Sequence, residues 1–534
     1  MDFNLADLFE LVADTVPDRE AVVCGDRRLT FRELDERTTR LAHGLQGLGV
    51  APGDHVGLYL YSTAEHLEAI LACYKLRAVP VNVNYRYVDD ELAYLFEDAD
   101  LVGVFHHGDL RPPAAALRFL VDVDNGDHEA LVRSGSAERD LGQRSGDDHY
   151  VLYTGGTTGM PKGVVWRHED IFFVAMGGGN PGGPPIERPE DIARTVRESR
   201  AQRARPFLAP GDPGPDEYVA LSLGPLMHAS GQWLGISTIL GGGKIVLYPD
   251  RRMDMARVLR LVERERVTML SLVGDASARP LLDELEARRG AYDTSSLLLL
   301  GSGGSILSGD VKDRLLAAMP TVLAISEAIG SSEAPVQAVA VARKQGTPSQ
   351  SLRFMGRDLT VVFDDDLRPI EPGSGRVGRL ATTGRMPLGY YKDPERTART
   401  FVEVDGVRWS LPGDMATVDA DGTIRLLGRG SLCINTGGEK VYPEEVEAVL
   451  KGHPLVQDAV VVGLPDERWG QRVVAVVSPR DAGDPPTLES LQAHCRTHLA
   501  GYKVPRALHV VEHVERSPAG KADYAWASGV AGSA

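Results

Sequence analysis

The stretch Tyr153-Thr154-Gly155-Gly156-Thr157-Thr158-Gly159-Met160-Pro161-Lys162-Gly163 constrains this chain more than any other. It follows a β-rich run, His149–Tyr153, so the glycines stand where a strand ends. Glycine accepts backbone conformations closed to other residues, and inward-turned N–H groups then form a concave nest for an anion. Threonine hydroxyls and one lysine add donors and a positive charge. Such a loop suits a polyphosphate. It is not a Walker A loop, because Lys162 is followed by Gly163 rather than Ser or Thr and the glycine spacing differs.

Charge makes that loop stand out further. The 534 residues carry 58 Lys and Arg against 75 Asp and Glu, a net charge of −17. A chain this acidic is a poor general binder of nucleic acid or anionic membranes, so any anionic ligand must meet a local site of opposite sign. The length predicts more than one domain, and a hydrophobic share of 43% supplies a core. Cys24, Cys73, Cys433 and Cys495 form no CxxC pair, which argues against a disulfide framework and a cysteine zinc site. Residues 1–14 are acidic and amphipathic, unlike a signal peptide, and no apolar run approaches the roughly 18 residues of a membrane span. The expectation is a cytoplasmic protein.

Short β-rich runs alternate with helical patterns. Thr30-Phe31-Arg32-Glu33 reads as a capping box, after which Leu34, Leu41, Leu45 and Leu48 share a helical face and Gly49 stops the helix. Val56–Tyr61 reads as a strand. Lys244–Tyr248, Ala256–Arg264 and Val267–Val273 read as strand, helix and strand of a βαβ unit. Ser296–Leu300 is a further buried strand, running into Gly301-Ser302-Gly303-Gly304. The alternation predicts an α/β fold with largely parallel sheets. Gly177–Glu217 breaks the pattern and reads as a surface insertion holding one short helix, with a substrate lid as the sharper reading.

Near residue 430 the texture changes. Gly428-Arg429-Gly430-Ser431 leads into Thr436-Gly437-Gly438, and Pro443 then sits where a helix begins, with Glu444, Glu445 and Glu447 near its positive end. Gly452 and Pro454 end that helix. Strands at Ala459–Gly463 and Val473–Val477 and a helix near Leu488–Leu499 complete a small α+β unit. The expected division is a large domain over 1–428, a hinge at 429–432 and a small mobile domain over 433–534.

From about residue 8 to 526 the chain resembles the adenylate-forming superfamily of acyl-CoA synthetases, luciferases and peptide-synthetase adenylation domains. The glycine-rich loop carries the resemblance, and further segments match in register. The resemblance implies a large domain of parallel-rich sheets with a β-barrel-like subdomain, plus a small α+β domain. It assigns nucleotide binding to Thr154, Gly155, Gly156, Thr157, Thr158, Gly159 and Lys162. Pro225-Leu226-Met227-His228-Ala229-Ser230-Gly231 looks like the family's acyl-site segment, with His228 at the carboxylate pocket. Ile329-Gly330-Ser331-Ser332-Glu333 looks like its nucleotide motif, in which Glu333 would bind Mg²⁺ and the hydroxyls a phosphate. Ser332 replaces the usual Thr, and Ile329 replaces the aromatic residue that stacks on adenine. Gly303 and Gly304 look like the adenine-side loop.

Pro412-Gly413-Asp414 resembles the family's Thr-Gly-Asp segment, which places Asp414 on the ribose hydroxyls, with Arg429 on ribose and phosphate. Ser431 stands near the hinge where Asp or Lys is usual. Gly437 and Gly438 resemble the loop that faces the second substrate after the small domain rotates. Arg516-Ser517-Pro518-Ala519-Gly520-Lys521 looks like the catalytic-lysine motif, giving that role to Lys521.

The implied reaction joins a carboxylic acid to CoA at the expense of ATP, with Mg²⁺, releasing AMP and pyrophosphate. The residues around Val165–Phe173 and Ile434–Val441 look most like the bacterial fatty-acyl-CoA synthetase branch that includes steroid side-chain ligases. The expected partners are a small acid, ATP and CoA, without nucleic acid; a homodimer stays open. Two rival readings are a relative that activates nitrite to diazotise an aryl amine, and an inactive homologue acting as a binding protein.

Overall fold

Thr30 opens the helix Phe31–Gly47 as its capping box predicts: the Thr30 hydroxyl accepts from Glu33 N–H and the Glu33 carboxylate accepts from Thr30 N–H at 2.8 Å. Leu34, Leu41 and Leu45 are fully buried on that helix. Leu48 departs from the expectation. It lies past the last helical residue, where the chain turns away at Gly49 (φ +84°), and is exposed. This computed structural model describes residues 2–113, 116–155, 160–178, 186–198, 208, 214–344, 349, 352–436, 439–466, 469–517 and 520–533.

The fold is α/β, with a large N-terminal and a small C-terminal domain. One sheet of fifteen strands runs through much of the large domain. Its parallel part orders Ala324–Ser331, Leu299–Gly303, Met269–Leu272, Val219–Ser222, Lys244–Leu247 and Glu20–Cys24 side by side. The predicted βαβ unit is present, but its strands are not neighbours: Val219–Ser222 is inserted between them and pairs with both. The buried strand runs over Leu299–Gly303 rather than Ser296–Leu300. Gly301, Ser302 and Gly303 therefore lie in the strand and pair with Ser326, Glu327 and Ala328; only Gly304 turns out, at φ +79°. An antiparallel arm extends the sheet through Arg353–Gly356, Thr423–Arg429, Asp414–Val418 and Gly378–Thr382, around a core of its own that includes Phe354, Leu380, Ala416 and Ile424.

A second sheet of seven strands holds the glycine-rich loop between His149–Thr154 and Lys162–Arg167, an antiparallel pair in which Thr154 faces Lys162. Gly389–Tyr390 adds to its edge, with Tyr390 opposite Val164.

The small domain is built on a third sheet of five strands. The helices Pro443–Lys451 and Leu488–Arg496 cover one face through Val446, Leu450 and Leu491, and Tyr524–Gly532 covers the other through Ala527 and Ala531. Each fully buried Val or Leu contributes about 1.5–3 kcal/mol, so two covered faces give this unit a core independent of the large domain.

The insertion contains the expected short helix, Asp191–Glu198. It is not merely superficial: Ile192 and Val196 are buried in the main core alongside the N-terminal helix Leu5–Thr15. Much of the remaining 177–217 segment lies outside the described residues. Among the described residues, no helix is long and apolar enough to cross a membrane.

Candidate active site

Three polar side chains meet where the second sheet approaches the tip of a hairpin in the first. Ala324–Ser331 and Ala334–Ala342 form the hairpin, which turns at Ser332-Glu333. Trp166 Nε1 donates to Ser332 O at 3.0 Å and Ser410 Oγ donates to Glu333 O at 3.3 Å, fixing that tip between the sheets. Lys162 Nζ then lies 2.9 Å from Glu333 Oε1, and Tyr390 OH donates to the same oxygen at 2.6 Å. Lys162 also donates to Tyr390 OH at 3.0 Å, closing a triangle.

Burial alone would raise the Glu333 pKa, but Lys162 and the Tyr390 hydroxyl overcome it and hold the carboxyl down at about 2. Burial and the Glu333 carboxylate push the Tyr390 phenol up, so it stays a donor. Among the described residues, both side-chain hydrogen bonds to Glu333 fall on Oε1. Oε2 is thus available to a cation.

Asp414 and Arg429 face each other across an antiparallel pair. Arg429 Nε is 2.9 Å from Asp414 Oδ1, and its Nη1 donates to Pro412 O at 2.6 Å. Burial raises the Asp414 pKa, and Arg429 opposes that. Arg429 is the last residue of its strand, and its N–H donates to Glu444 Oε1 at 3.2 Å. Glu444 belongs to the small domain; burial and Glu447 push its carboxyl up to about 8. Residues 430–432 form a single 3₁₀ turn after Arg429.

Lys521 comes from the far end of the sequence and faces the same cleft. Its side chain is open to the cleft solvent, yet the surrounding protein desolvates it, and Arg429 adds repulsion, so its pKa is lowered. Glu333 and Asp414 pull in the opposite direction. His228 feels Lys521 as well: burial, then Lys521 and Arg86, bring its imidazole down to about 3, so it is neutral at physiological pH. His228 Nε2 has no hydrogen-bond partner among the described residues. Asn82 Nδ2 ties this segment to the strand before the loop, donating to Met227 O at 2.7 Å and Tyr153 O at 2.8 Å.

Of the sequence-predicted residues, Lys162, Glu333, Asp414 and Arg429 all act electrostatically on Lys521, and Lys521 acts on His228. Thr154 and Gly155 stand at the start of the loop, Ser331 and Ser332 beside Glu333, and Gly303 pairs two residues before Gly330. Gly330 lets the hairpin close: a Cβ there would lie 2.0 Å from Pro335 O. Gly156, Thr157, Thr158, Gly159, Gly437 and Gly438 lie outside the described residues. Tyr390 was missed. Its only sequence signal is an aromatic pair after Gly389, which carries no chemistry until the strand edge places it. A cavity of about 140 Å³ opens beside Glu333, walled by Phe173, Pro335, Val336 and Met386, with Arg385 stacked 4.3 Å from the Phe173 ring.

Comparison with known proteins decides the family. The profile of the AMP-binding enzyme matches residues 9–391, and that of the AMP-binding enzyme C-terminal domain matches residues 445–521. The chain belongs to the AMP-binding enzymes. A 3-oxocholest-4-en-26-oate–CoA ligase of Rhodococcus rhodochrous is 44% identical to this AMP-binding enzyme, over 99% of this chain and 96% of the relative. A medium/long-chain-fatty-acid–CoA/3-oxocholest-4-en-26-oate–CoA ligase of Mycolicibacterium smegmatis is also 44% identical, over 99% and 97%. The fold matches an anthranilate CoA ligase in complex with anthranoyl-AMP (TM-score 0.81, 22% identity, 99% and 98% covered). It also matches the o-succinylbenzoate CoA synthetase of Bacillus subtilis (TM-score 0.76, 22% identity, 97% of both chains).

Proposed function

We propose that this AMP-binding enzyme is an ATP-dependent acid–CoA ligase whose acid is a hydrocarbon-rich carboxylic acid, of the fatty or steroid side-chain class. The observation that carries the reading is the convergence of Lys162, Glu333, Asp414, Arg429 and Lys521 on one cleft. The relatives' names support the acid class. The nitrite-activating alternative finds no support in those names, and the retained charged residues argue against an inactive homologue.

In the first half-reaction the acid's carboxylate attacks the α-phosphorus of ATP. The bond to the pyrophosphate oxygen breaks and an acyl-adenylate forms. Negative charge spreads over phosphate oxygens, so positioning and fixed positive charge supply the catalysis. Lys162 and Lys521 provide charge, the Thr154–Lys162 loop provides N–H donors, and Arg429 contacts ribose and phosphate. Asp414 accepts from the ribose hydroxyls. The neutral His228 lines the acid's carboxylate.

Glu333 suits Mg²⁺: it is ionised, and among the described residues its side-chain contacts fall on Oε1 and leave Oε2 for a cation. The other ligands would come from phosphate oxygens and water. When bound, Mg²⁺ neutralises phosphate charge.

In the second half-reaction the CoA thiol attacks the acyl carbonyl and AMP leaves. The small domain, from residue 433, rotates about 429–432, withdrawing Lys521 and bringing in the face at 436–440. Lys521→Ala tests this reading: acid-dependent pyrophosphate release should fall by about 10²–10³-fold, while thioester formation from supplied acyl-adenylate persists. Unchanged pyrophosphate release would refute the role of Lys521. A panel of fatty, steroid and aryl acids, and of nitrite with an aryl amine, tests the acid class: release with fatty or steroid acids is expected, and release with nitrite alone would contradict it.

A further inference from the structure

Arg279 sits in the large domain on the helix Gly274–Ala287, with only 2% of its side chain exposed. Its Nη2 donates to Lys451 O at 3.1 Å. Lys451 is the last residue of Pro443–Lys451, the first helix of the small domain. The end of a helix leaves carbonyls unpaired and carries partial negative charge, so a guanidinium is well matched to it.

The large domain holds Arg279 in place for that contact. Asp275 Oδ2 lies 3.2 Å from its Nε, and Ser308 Oγ lies 3.4 Å from its Nη2. Ser308 is itself anchored, its N–H donating to Asp275 Oδ1 at 2.8 Å. Asp310 Oδ1 lies 3.9 Å from Arg279 Nη2, and Arg279 Nη1 has no hydrogen-bond partner among the described residues. The neighbouring contacts of this seam are more open: Gln457 Nε2 donates to Asp283 at 3.4 Å, and Arg86 Nη1 donates to Arg516 O at 3.2 Å, both classed as exposed. Gly520, next to Lys521, rests on Val273 so closely that a Cβ would lie 2.6 Å from its methyl carbon.

We propose that Arg279 is a positioning residue that favours the domain orientation with Lys521 in the cleft. The inference rests on the two half-reactions described above. A rotation of the small domain carries the Lys451 carbonyl away, and the guanidinium loses an acceptor that only this orientation supplies. The charge-assisted contact forms only in this orientation, so it biases the equilibrium toward the adenylate-forming arrangement. Arg279 touches neither nucleotide nor acid.

The test compares the full-length wild type with Arg279→Met, which keeps the aliphatic stem, and Arg279→Lys, which keeps the charge. Each is assayed for acid-dependent exchange of labelled pyrophosphate into ATP, and for thioester formation from supplied acyl-adenylate and CoA. Arg279→Met should lower exchange about tenfold or more, the scale of a lost hydrogen bond to a charged group. Thioester formation should not fall, and Arg279→Lys should recover part of the exchange. Retained thioester formation also establishes that the variant is folded. Equal loss of both half-reactions, or undiminished exchange, would overturn the proposal. A wild type that performs neither half-reaction would overturn the underlying functional reading instead.

Discussion

Lys162 Nζ lies 2.9 Å from Glu333 Oε1, although Lys162 belongs to the second sheet and Glu333 to a hairpin turn of the first. This ion pair joins the glycine-rich loop to the hairpin that carries the nucleotide motif. The proposed reading gives the positive partner a phosphate and the negative one a cation. Because Glu333 is buried and Lys162 only partly so, removing the carboxylate leaves the lysine charge without its counter-ion. Glu333→Gln should lower pyrophosphate release by about 10²–10³-fold and raise the Mg²⁺ concentration needed for half-maximal rate. A Mg²⁺ titration of the variant checks both; an unchanged Mg²⁺ requirement would remove Glu333 from the metal site.

Tyr390 completes that pair by donating to Glu333 at 2.6 Å and accepting from Lys162 at 3.0 Å. Tyr390→Phe keeps the ring that packs 5.9 Å from Phe401 and removes only the hydroxyl. A lost hydrogen bond to a charged group costs about 1.5–3 kcal/mol. Thermal unfolding should show that loss, and the rate of pyrophosphate release should fall with it.

Much of this site could be read along the sequence, because its polar residues occur in short local patterns. The loop around Lys162, the turn at Glu333 and the Asp414–Arg429 pair all belong to such segments. Tyr390 is different. Its function depends on an edge strand pairing with Val164 and Val165, a long-range contact without a local signature. The same limit explains the βαβ unit: local periodicity identified its strands but could not reveal that Val219–Ser222 pairs between them. Leu48 shared a helical phase with buried leucines, yet the helix ended before reaching it.

Two residues of the site contribute to the acid side of the stability profile, alongside other buried histidines such as His66 and His168. The folded Glu333 carboxyl titrates at about 2 against an ordinary 4.5, so its contribution is full above 4.5 and is lost as pH falls toward 2. His228 titrates at about 3 in the fold against an ordinary 6.5. The unfolded chain therefore binds its proton first, and stability falls as pH drops from 6.5 toward 3. His228→Asn should flatten the decline between pH 6.5 and 4.5, where Glu333 contributes little. Thermal unfolding of wild type and variant across that range checks the sign; a steeper decline in the variant would contradict it.

Gly428 precedes the expected hinge with φ +124°, and a Cβ there would lie 2.0 Å from Glu444 Oε2. Gly428→Ala should destabilise the protein by about 1–3 kcal/mol through backbone strain and the clash. Adding Glu444→Ala should recover the part due to the clash, leaving the part due to φ. Unfolding midpoints of the single and double variants measure this coupling. Additive losses would show that Glu444 does not press on the hinge strand.

The central claim is that ATP is cleaved at its α-phosphate to link an acid to CoA. The most direct measurement is the product balance of the wild-type protein with a medium- or long-chain fatty acid or a steroid side-chain acid, ATP, Mg²⁺ and CoA. Acyl-CoA, AMP and pyrophosphate should appear in equal amounts. Cleavage to ADP and orthophosphate, or AMP formation without thioester, would contradict the account.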